Sequence, residues 1–253
     1  NTTASNNTAV GSGALDANST GSNNNAFGYN ALGANTTGSN NVAIGHQALE
    51  DITTNGANTA VGYQALMDNT GSNNTALGYQ ALKVNTSGYY NVALGLQSLA
   101  ANTTGVQNTA VGYQALDANT TAHNNVAIGA YGLGANTTGT NNVAVGYAAL
   151  DANTTASNNT GIGKDALGAN TTGAQNTAVG QNAMGSTTTA TDNCAFGHSA
   201  LAGTNTGSGR NNAFGYEALQ DITTGTQNQA MGFQAGANLT TGSYNNTVSY
   251  THL

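Results

Sequence analysis

Histidine, cysteine and carboxylate side chains are the groups of this chain that could do chemistry, and they are few. The four histidines, His46, His123, His198 and His252, lie far apart in sequence. The single cysteine, Cys194, can form neither an intrachain disulfide nor a redox pair. A catalytic or metal site needs several unlike residues at one place. The sequence therefore predicts no enzyme, no metal site and no cofactor.

Seven carboxylates recur at two neighbouring positions of a repeat that is described below. They could attract cations weakly, but their occupancy is irregular and the calcium-binding pattern G-G-x-G-x-D is absent. A solvated acidic edge is the simpler interpretation. These carboxylates are Asp16, Glu50, Asp51, Asp68, Asp117, Asp151 and Asp221.

The composition excludes several classes of function. Charged residues make up 5% of the 253 positions and the formal net charge is -7, whereas about a quarter of an ordinary domain is charged. With three basic residues there is no basic patch to neutralise phosphates, so we expect no nucleic-acid partner. No apolar run approaches the length of a membrane span, so we expect no membrane insertion of this segment.

A repeat of 17 residues organises the whole chain. The string A-[VILFM]-G recurs with a spacing of 17, apart from one gap of 16 and one of 18, and the consensus is N-T-A-V-G-Y-Q-A-L-x-A-N-T-T-G-S-N. Such a period is too short for a helical hairpin and fits a coil of two or three short strands. The sequence predicts an all-β fold, a single β-solenoid (a parallel β-roll or β-helix) of about fourteen to fifteen coils over residues 1–247. Its motif glycines are predicted to need positive φ or close backbone approach.

The last six residues, 248–253, break the pattern where Ala and Gly are due. They read like a translated sequencing adapter, and we interpret them as a non-native tail.

One asparagine column shows no variation among the repeats. The residue four positions before the motif glycine is Asn in all fourteen repeats. Stacked coils would place these side chains above one another, and each amide could donate to the carbonyl of the asparagine one coil away. The predicted asparagine ladder comprises Asn7, Asn24, Asn41, Asn58, Asn74, Asn91, Asn108, Asn125, Asn142, Asn159, Asn176, Asn193, Asn211 and Asn228.

Two pairs of a small and a large apolar residue occur in each repeat, A-V before the motif glycine and A-L after it. Neighbours on a strand face opposite ways, so one member of each pair is expected inside the coil and the other outside. A sheet that is apolar on both faces is normally covered on both. The second face therefore predicts contact with another chain.

Three further rows could recognise a ligand. Gln47, Gln64, Gln80, Gln97 and Gln114 are expected to form an amide ladder. An aromatic row after the motif glycine could line a seam between chains or stack on sugars: Tyr29, Tyr63, Tyr79, Tyr113, Tyr147 and Tyr216. An outward threonine row within N-T-T could bind ice: Thr37, Thr104, Thr138 and Thr172. The asparagine of N-T-T is replaced by Ile52, Ile222 and Leu239 in other repeats, which indicates that this column faces partly inward.

The segment N-T-A-V-G-Y-Q-A-L, for example at 58–66 and 108–116, resembles the head repeats of trimeric autotransporter adhesins. The longer consensus with A-N-T-T-G is similar to repeat regions of phage-type tail fibres and related bacterial surface proteins. The resemblance implies a β-roll, a homotrimer and a place outside the cell or on a cell or virion surface. The period is longer than that of the adhesin heads.

We therefore expect a non-enzymatic, structural or adhesive fibre segment that self-associates and spaces a binding module from its anchor. A host-surface or glycan receptor is a possible partner. Two alternatives stay open: an ice-binding solenoid that uses the threonine row, and a glycan-binding module that uses the tyrosine row.

Overall fold

The computed structural model of the chain describes residues 3–206 and 209–249. Within this part of the chain there are fifteen strands of three residues each and no helix. The predicted all-β solenoid, with coils of about 17 residues, is confirmed. The strands are β1 (Thr8–Val10), β2 (Asn25–Phe27), β3 (Val42–Ile44), β4 (Thr59–Val61), β5 (Thr75–Leu77), β6 (Val92–Leu94), β7 (Thr109–Val111), β8 (Val126–Ile128), β9 (Val143–Val145), β10 (Thr160–Ile162), β11 (Thr177–Val179), β12 (Cys194–Phe196), β13 (Asn212–Phe214), β14 (Gln229–Met231) and β15 (Asn246–Val248).

The chain divides into two compact units, Asn1–Asn124 and Asn125–Leu253. In the first unit, β1 to β7 form a parallel sheet in chain order, and each strand pairs with the strand one repeat later. In the second unit, β8 to β15 pair in the same way. The last pair joins Met231 to Val248, so regular pairing reaches the first residue of the proposed tail. Residues 250–253 of that tail lie outside the described residues.

Each described coil contains one strand, so the expectation of two or three strands per coil is wrong. The rest of a coil consists of turns in which non-glycine residues adopt positive φ, as Asn40 (62°), Gln47 (56°) and Leu49 (51°) do in one repeat. The backbone of a coil this short has to change direction several times. Residues in the left-handed conformation turn the backbone within a few residues, so no long straight segment is needed. Backbone bonds to the next coil keep these turns in register; Leu32 N, for example, donates to Ala48 O at 3.1 Å.

The motif glycine follows the strand with a φ that side chains rarely adopt, as at Gly45 (135°). A Cβ added there would overlap the carbonyl group of Gly62 in the next coil. Both reasons predicted for a glycine, positive φ and close backbone approach, are confirmed.

The core of each unit consists of small and medium apolar side chains. In the A-V pair the alanine is buried and the larger residue faces outward; Ala43 is 0% exposed and Ile44 is 42% exposed. In the A-L pair the expectation of one inward and one outward residue is wrong, because Ala48 and Leu49 are both fully buried. The alternation rule holds for strands, and this pair lies in a turn where Leu49 has positive φ.

The two irregular repeats keep the strand register. Across the 16-residue repeat Thr59 pairs with Thr75, and across the 18-residue repeat Cys194 pairs with Asn212. The shorter coil has lost the second threonine of N-T-T, whereas the longer coil has gained a residue after Leu201. Changes of length are therefore absorbed in turns.

Candidate functional site

The main asparagine column is a buried ladder, as predicted, but its partners are mostly backbone groups. Asn91 is typical: its Oδ1 accepts from the backbone N–H of Asn108 at 3.0 Å, and its Nδ2 donates to the carbonyl of Gly105 at 2.8 Å. The same pattern recurs in the second unit, where Asn142 Oδ1 accepts from Asn159 N at 2.9 Å. Direct amide-to-amide bonds occur at some rungs only, for example from Asn228 to Asn211 at 3.0 Å. The ladder thus binds each coil to the next through the main chain.

A second asparagine column is formed by the asparagine of N-T-T. It shows the side chain-to-side chain bonds that were predicted for the main column. Here Nδ2 of each residue donates to Oδ1 of the residue one coil earlier, at 2.7 Å from Asn102 to Asn85 and at 2.9 Å from Asn153 to Asn136. All four side chains are 0% exposed, which confirms that this column faces inward. The ladder stops where Ile52 replaces Asn, and Oδ1 of the preceding Asn35 is left buried without a hydrogen bond.

The predicted glutamine ladder is present in the first unit. Each Nε2 donates to the Oε1 one coil earlier, and the four bonds measure 2.9, 2.9, 3.4 and 3.2 Å. These side chains are half-buried, and hydrogen bonding within the row accounts for their regular spacing. The row comprises Gln47, Gln64, Gln80, Gln97 and Gln114.

The outward side chains of the strands form what we call the outer face, the first and third residues of every strand. The third position is always a large apolar residue, and its exposed fraction is 42% at Ile128, 47% at Leu77 and 61% at Met231. No Asp, Glu, Lys or Arg occupies either position in the described strands. Cys194 lies at the first position of β12, where partial burial raises the pKa of its thiol. The outer face of the described strands thus carries no charged side chain, and its third positions form an apolar strip on each unit.

The aromatic residues after the motif glycine stack on one another. In the first unit the ring centroids of Tyr29, His46, Tyr63 and Tyr79 follow at 5.0, 5.3 and 5.1 Å, with interplanar angles of 11 to 28°. In the second unit Tyr216 stacks on both of its neighbours in the row, at 5.1 and 5.3 Å. Sugar stacking needs an open ring face, and within these stacks the faces are covered by the neighbouring rings. This geometry favours packing as the role of the tyrosine row.

The two threonines of N-T-T have different surroundings. The first one is bonded along the coils; the hydroxyl of Thr103, for example, donates to the carbonyl of Thr120 at 3.0 Å. The second one is exposed, and at the four positions proposed for ice binding its hydroxyl has no hydrogen bond to any described residue. These positions are Thr37, Thr104, Thr138 and Thr172.

Some carboxylates of neighbouring coils lie close enough to influence one another's pKa. Burial raises the pKa of Asp51, and the charges of Asp68 and Glu50 add to the rise. Burial also raises the pKa of Asp151, with a contribution from Asp165. Among the described residues no three His, Cys, Asp or Glu side chains come together as a metal site, and His252 lies outside those residues.

In the described part of the chain no helix is long and apolar enough to cross a bilayer.

Comparison with known proteins gives no relative: no protein-family model, no curated protein sequence and no solved structure matches this chain.

Proposed function

We propose that this chain is a non-enzymatic structural segment of an extracellular fibre, a spacer in an adhesin or a phage-type tail fibre on a cell or virion surface. Its support is the regular stacking of coils, in which hydrogen-bonded asparagine ladders join each coil to the next. A spacer needs such a uniform and extendable design, because every added repeat brings its own hydrogen bonds.

The observation that carries the proposal is the outer face. Parallel sheets are normally covered on both faces, yet here the third residue of each described strand is apolar and faces outward, and it is about 40% exposed at Ile44, Phe27 and Phe214. A second copy of the chain presents the same strip with the same spacing between coils, so its side chains can pack into this one. We propose that copies associate through the outer face, and the adhesin resemblance favours three of them.

Light scattering coupled to size-exclusion chromatography tests this association. The unaltered chain is expected to elute as an oligomer. The double variant Ile128→Thr and Ile162→Thr should lower the oligomer's stability, because it removes two apolar contacts from each copy while keeping β-branched residues in the strands. The matched control, Val106→Thr, makes the same kind of change at a part-exposed residue outside both the outer face and the aromatic row and should leave the mass unchanged. A folded, monodisperse monomer of the unaltered chain would show that the proposal is wrong.

A second candidate function, ice binding, is favoured by the exposed threonine row. In the second unit Thr138, Thr155 and Thr172 belong to consecutive coils and are exposed, and their hydroxyls make no hydrogen bond to the described residues. Equivalent residues of stacked coils repeat at about 4.8 Å, so these hydroxyls form a regular one-dimensional array.

Thermal hysteresis distinguishes ice binding from the spacer function. An ice binder should depress the freezing point below the melting point, and Thr138→Tyr with Thr172→Tyr should abolish this difference by disturbing the array. The control Thr137→Ser keeps the hydroxyl that donates to Thr154 and should have no effect. Simultaneous freezing and melting of a concentrated solution would exclude ice binding.

A further inference from the structure

One place in the second unit brings unlike side chains together, although a repeat array normally supplies like residues in rows. A surface pocket of about 270 Å³ is lined by Thr191, Asp192, Arg210, Thr226, Gln227 and Tyr244. From this convergence we infer that the pocket binds an acidic sugar, meaning a sugar unit that carries a carboxylate. The inference is independent of the spacer proposal and of the tyrosine row.

The pocket arises from two neighbouring columns of the repeat. One column holds Thr191 and Thr226, with Gly209 between them, so one side chain is missing from the row. The next column holds Asp192, Arg210, Gln227 and Tyr244, and all four have positive φ of 58 to 62°. The same column in the first unit is mostly Asn, including Asn23, Asn40 and Asn73. The substitutions in the second unit therefore change the chemistry of the column and leave its backbone conformation as it is.

Arg210 supplies the charge for recognition of a carboxylate. It is one of only three basic residues in the chain, and the ion pair found among the described residues joins Lys164 to Asp165 instead. The guanidinium of Arg210 is exposed and makes no hydrogen bond to the described residues. A guanidinium can bind both oxygens of a carboxylate in a planar, two-point arrangement. We assign the acidic group of the ligand to this side chain.

Asp192 and Thr191 favour a ligand that carries hydroxyl groups. Both side chains line the pocket; the carboxylate of Asp192 accepts hydrogen bonds, and the hydroxyl of Thr191 can donate or accept. A sugar hydroxyl can donate to Asp192, whereas acetate has no donor to offer. We therefore expect the ligand to carry hydroxyl groups as well as a carboxylate.

Tyr244 provides an open aromatic surface beside these polar groups. It is 80% exposed and, unlike the tyrosines of the aromatic row, it stacks on no other ring of the described residues. An aromatic ring with an apolar face and a polar tip suits one face of a sugar ring. The pocket volume is slightly below the range typical of drug-sized ligands, which fits a single sugar unit.

Ligand-observed NMR by saturation transfer, with glucuronate as probe, tests the inference on the full chain. We expect binding with a Kd on the order of 1 mM, as for a monosaccharide-sized ligand of ordinary efficiency. Glucose, which lacks the carboxylate, should bind at least about tenfold more weakly, and so should acetate, which lacks the hydroxyls.

The repeat itself supplies variants that preserve the fold. Arg210→Asn and Tyr244→Asn each restore the residue that the column carries elsewhere, so positive φ is retained. Arg210→Asn should weaken glucuronate binding about tenfold or more, whereas Tyr244→Asn should weaken glucuronate and glucose alike. Tyr90→Asn is the matched control, because Tyr90 occupies the same column with a φ of 57° in the first unit and lies outside the pocket.

Several results would overturn the inference. These are unchanged glucuronate binding by Arg210→Asn, equal binding of acetate or inorganic phosphate, which would indicate a simple anion site, and equal binding of glucose, which would remove the role of the charge. Loss of binding by the control Tyr90→Asn would locate the ligand elsewhere and would also contradict it.

Discussion

A ladder asparagine of this protein performs two opposite hydrogen-bonding tasks with one side chain. Asn91 accepts a backbone N–H with Oδ1 and donates to a backbone carbonyl with Nδ2. Asn91 is fully buried, so water cannot replace either partner. Aspartate has the same shape but lacks the donor, and leucine lacks both groups. This explains why the position tolerates nothing but Asn in fourteen repeats.

Replacing Asn91 by Asp should destabilise the protein by about 3–5 kcal/mol at neutral pH, since a buried carboxylate would face the carbonyl of Gly105. The protonated acid can donate to that carbonyl, so its folded pKa should rise above the ordinary value of about 3.9. The loss should therefore shrink as pH falls. Chemical denaturation at pH 3 and pH 7 measures it.

The control is Asn40→Asp. Asn40 is exposed, its Oδ1 accepts from Asn23 Nδ2, and its Nδ2 donates no hydrogen bond to the described residues that the substitution could remove. Its stability should match that of the unaltered chain at both pH values. Equal effects of the two substitutions would contradict the account of the ladder.

Asp151 offers a test of a natural carboxylate. Burial raises its pKa from the ordinary 3.8, and the charge of Asp165 raises it further. A carboxyl whose pKa is raised by folding contributes most to stability below its unfolded pKa, and this contribution is lost as pH rises through the folded pKa. Asp151→Asn should therefore increase the Tm by about 1–2 °C at pH 7 and low salt. Below pH 3.8 the difference should disappear, which thermal melts at the two pH values can check.

At the scale of the element, the coil is defined more by its turns than by its strand. Three residues form the strand, and the remaining fourteen or so are turns whose direction depends on positive φ at the motif glycine and at residues such as Gln80 and Leu82. The strand holds the register because a short strand such as β5 is paired in parallel on both sides. The glycine allows the carbonyl of the next coil to approach closely.

Gly78→Ala should therefore destabilise the first unit by several kcal/mol, because φ is 140° and the new Cβ would overlap the carbonyl of Gly95. Gly33→Ala is the matched control. Its column holds Glu50 and Lys83 in other coils, so a Cβ is accommodated there, and the substitution should be neutral or stabilising by about 0.4–1 kcal/mol. Urea denaturation of both variants is the measurement. Similar losses would mean that the coils do not discriminate between the two glycines.

At the scale of the whole chain, the fold is a series of similar repeats whose turns can gain or lose one residue. The 16-residue repeat lacks the second threonine before Gly71, yet Asn58 Oδ1 still accepts from Asn74 N at 2.9 Å. Strand pairing and the main ladder therefore survive the loss of an exposed residue. The proposals made at this scale concern surfaces, namely the outer face, the threonine row and the pocket around Arg210.

Deleting Thr104 should accordingly change the free energy of unfolding by no more than about 1 kcal/mol, since the shortened coil would copy a natural one. Deleting Gln97 should cost several kcal/mol, because it removes a rung of the glutamine ladder and shifts the buried Leu99 out of register. Denaturation curves of the two deletion variants compare them directly. A loss from the first deletion as large as from the second would refute the idea that turns absorb length.

The sequence by itself determined the period, the parallel stacking, the glycine requirement, the glutamine ladder and the inward direction of the N-T-T asparagines. These features follow from the columns of the repeat, because stacking places every residue on its equivalent in the next coil. Side chains of one column must therefore pack on or hydrogen-bond to one another. Ile52, for example, shows that its column faces inward, and Asn91 belongs to the column that is Asn in every repeat. Neither inference requires knowledge of the chain path between the two columns.

Only the tertiary structure decided how the backbone closes each coil and which surfaces of the coil remain exposed. Periodicity cannot show that Leu49 has positive φ, so the A-L pair was mistaken for a strand pair with one outward residue. It could not show that the ladder amides bind backbone groups, since these partners come from turns whose geometry depends on long-range contacts. The pocket around Arg210 was missed for the same reason: Asp192, Arg210, Gln227 and Tyr244 are about 17 residues apart, and they became neighbours only once the coils were stacked.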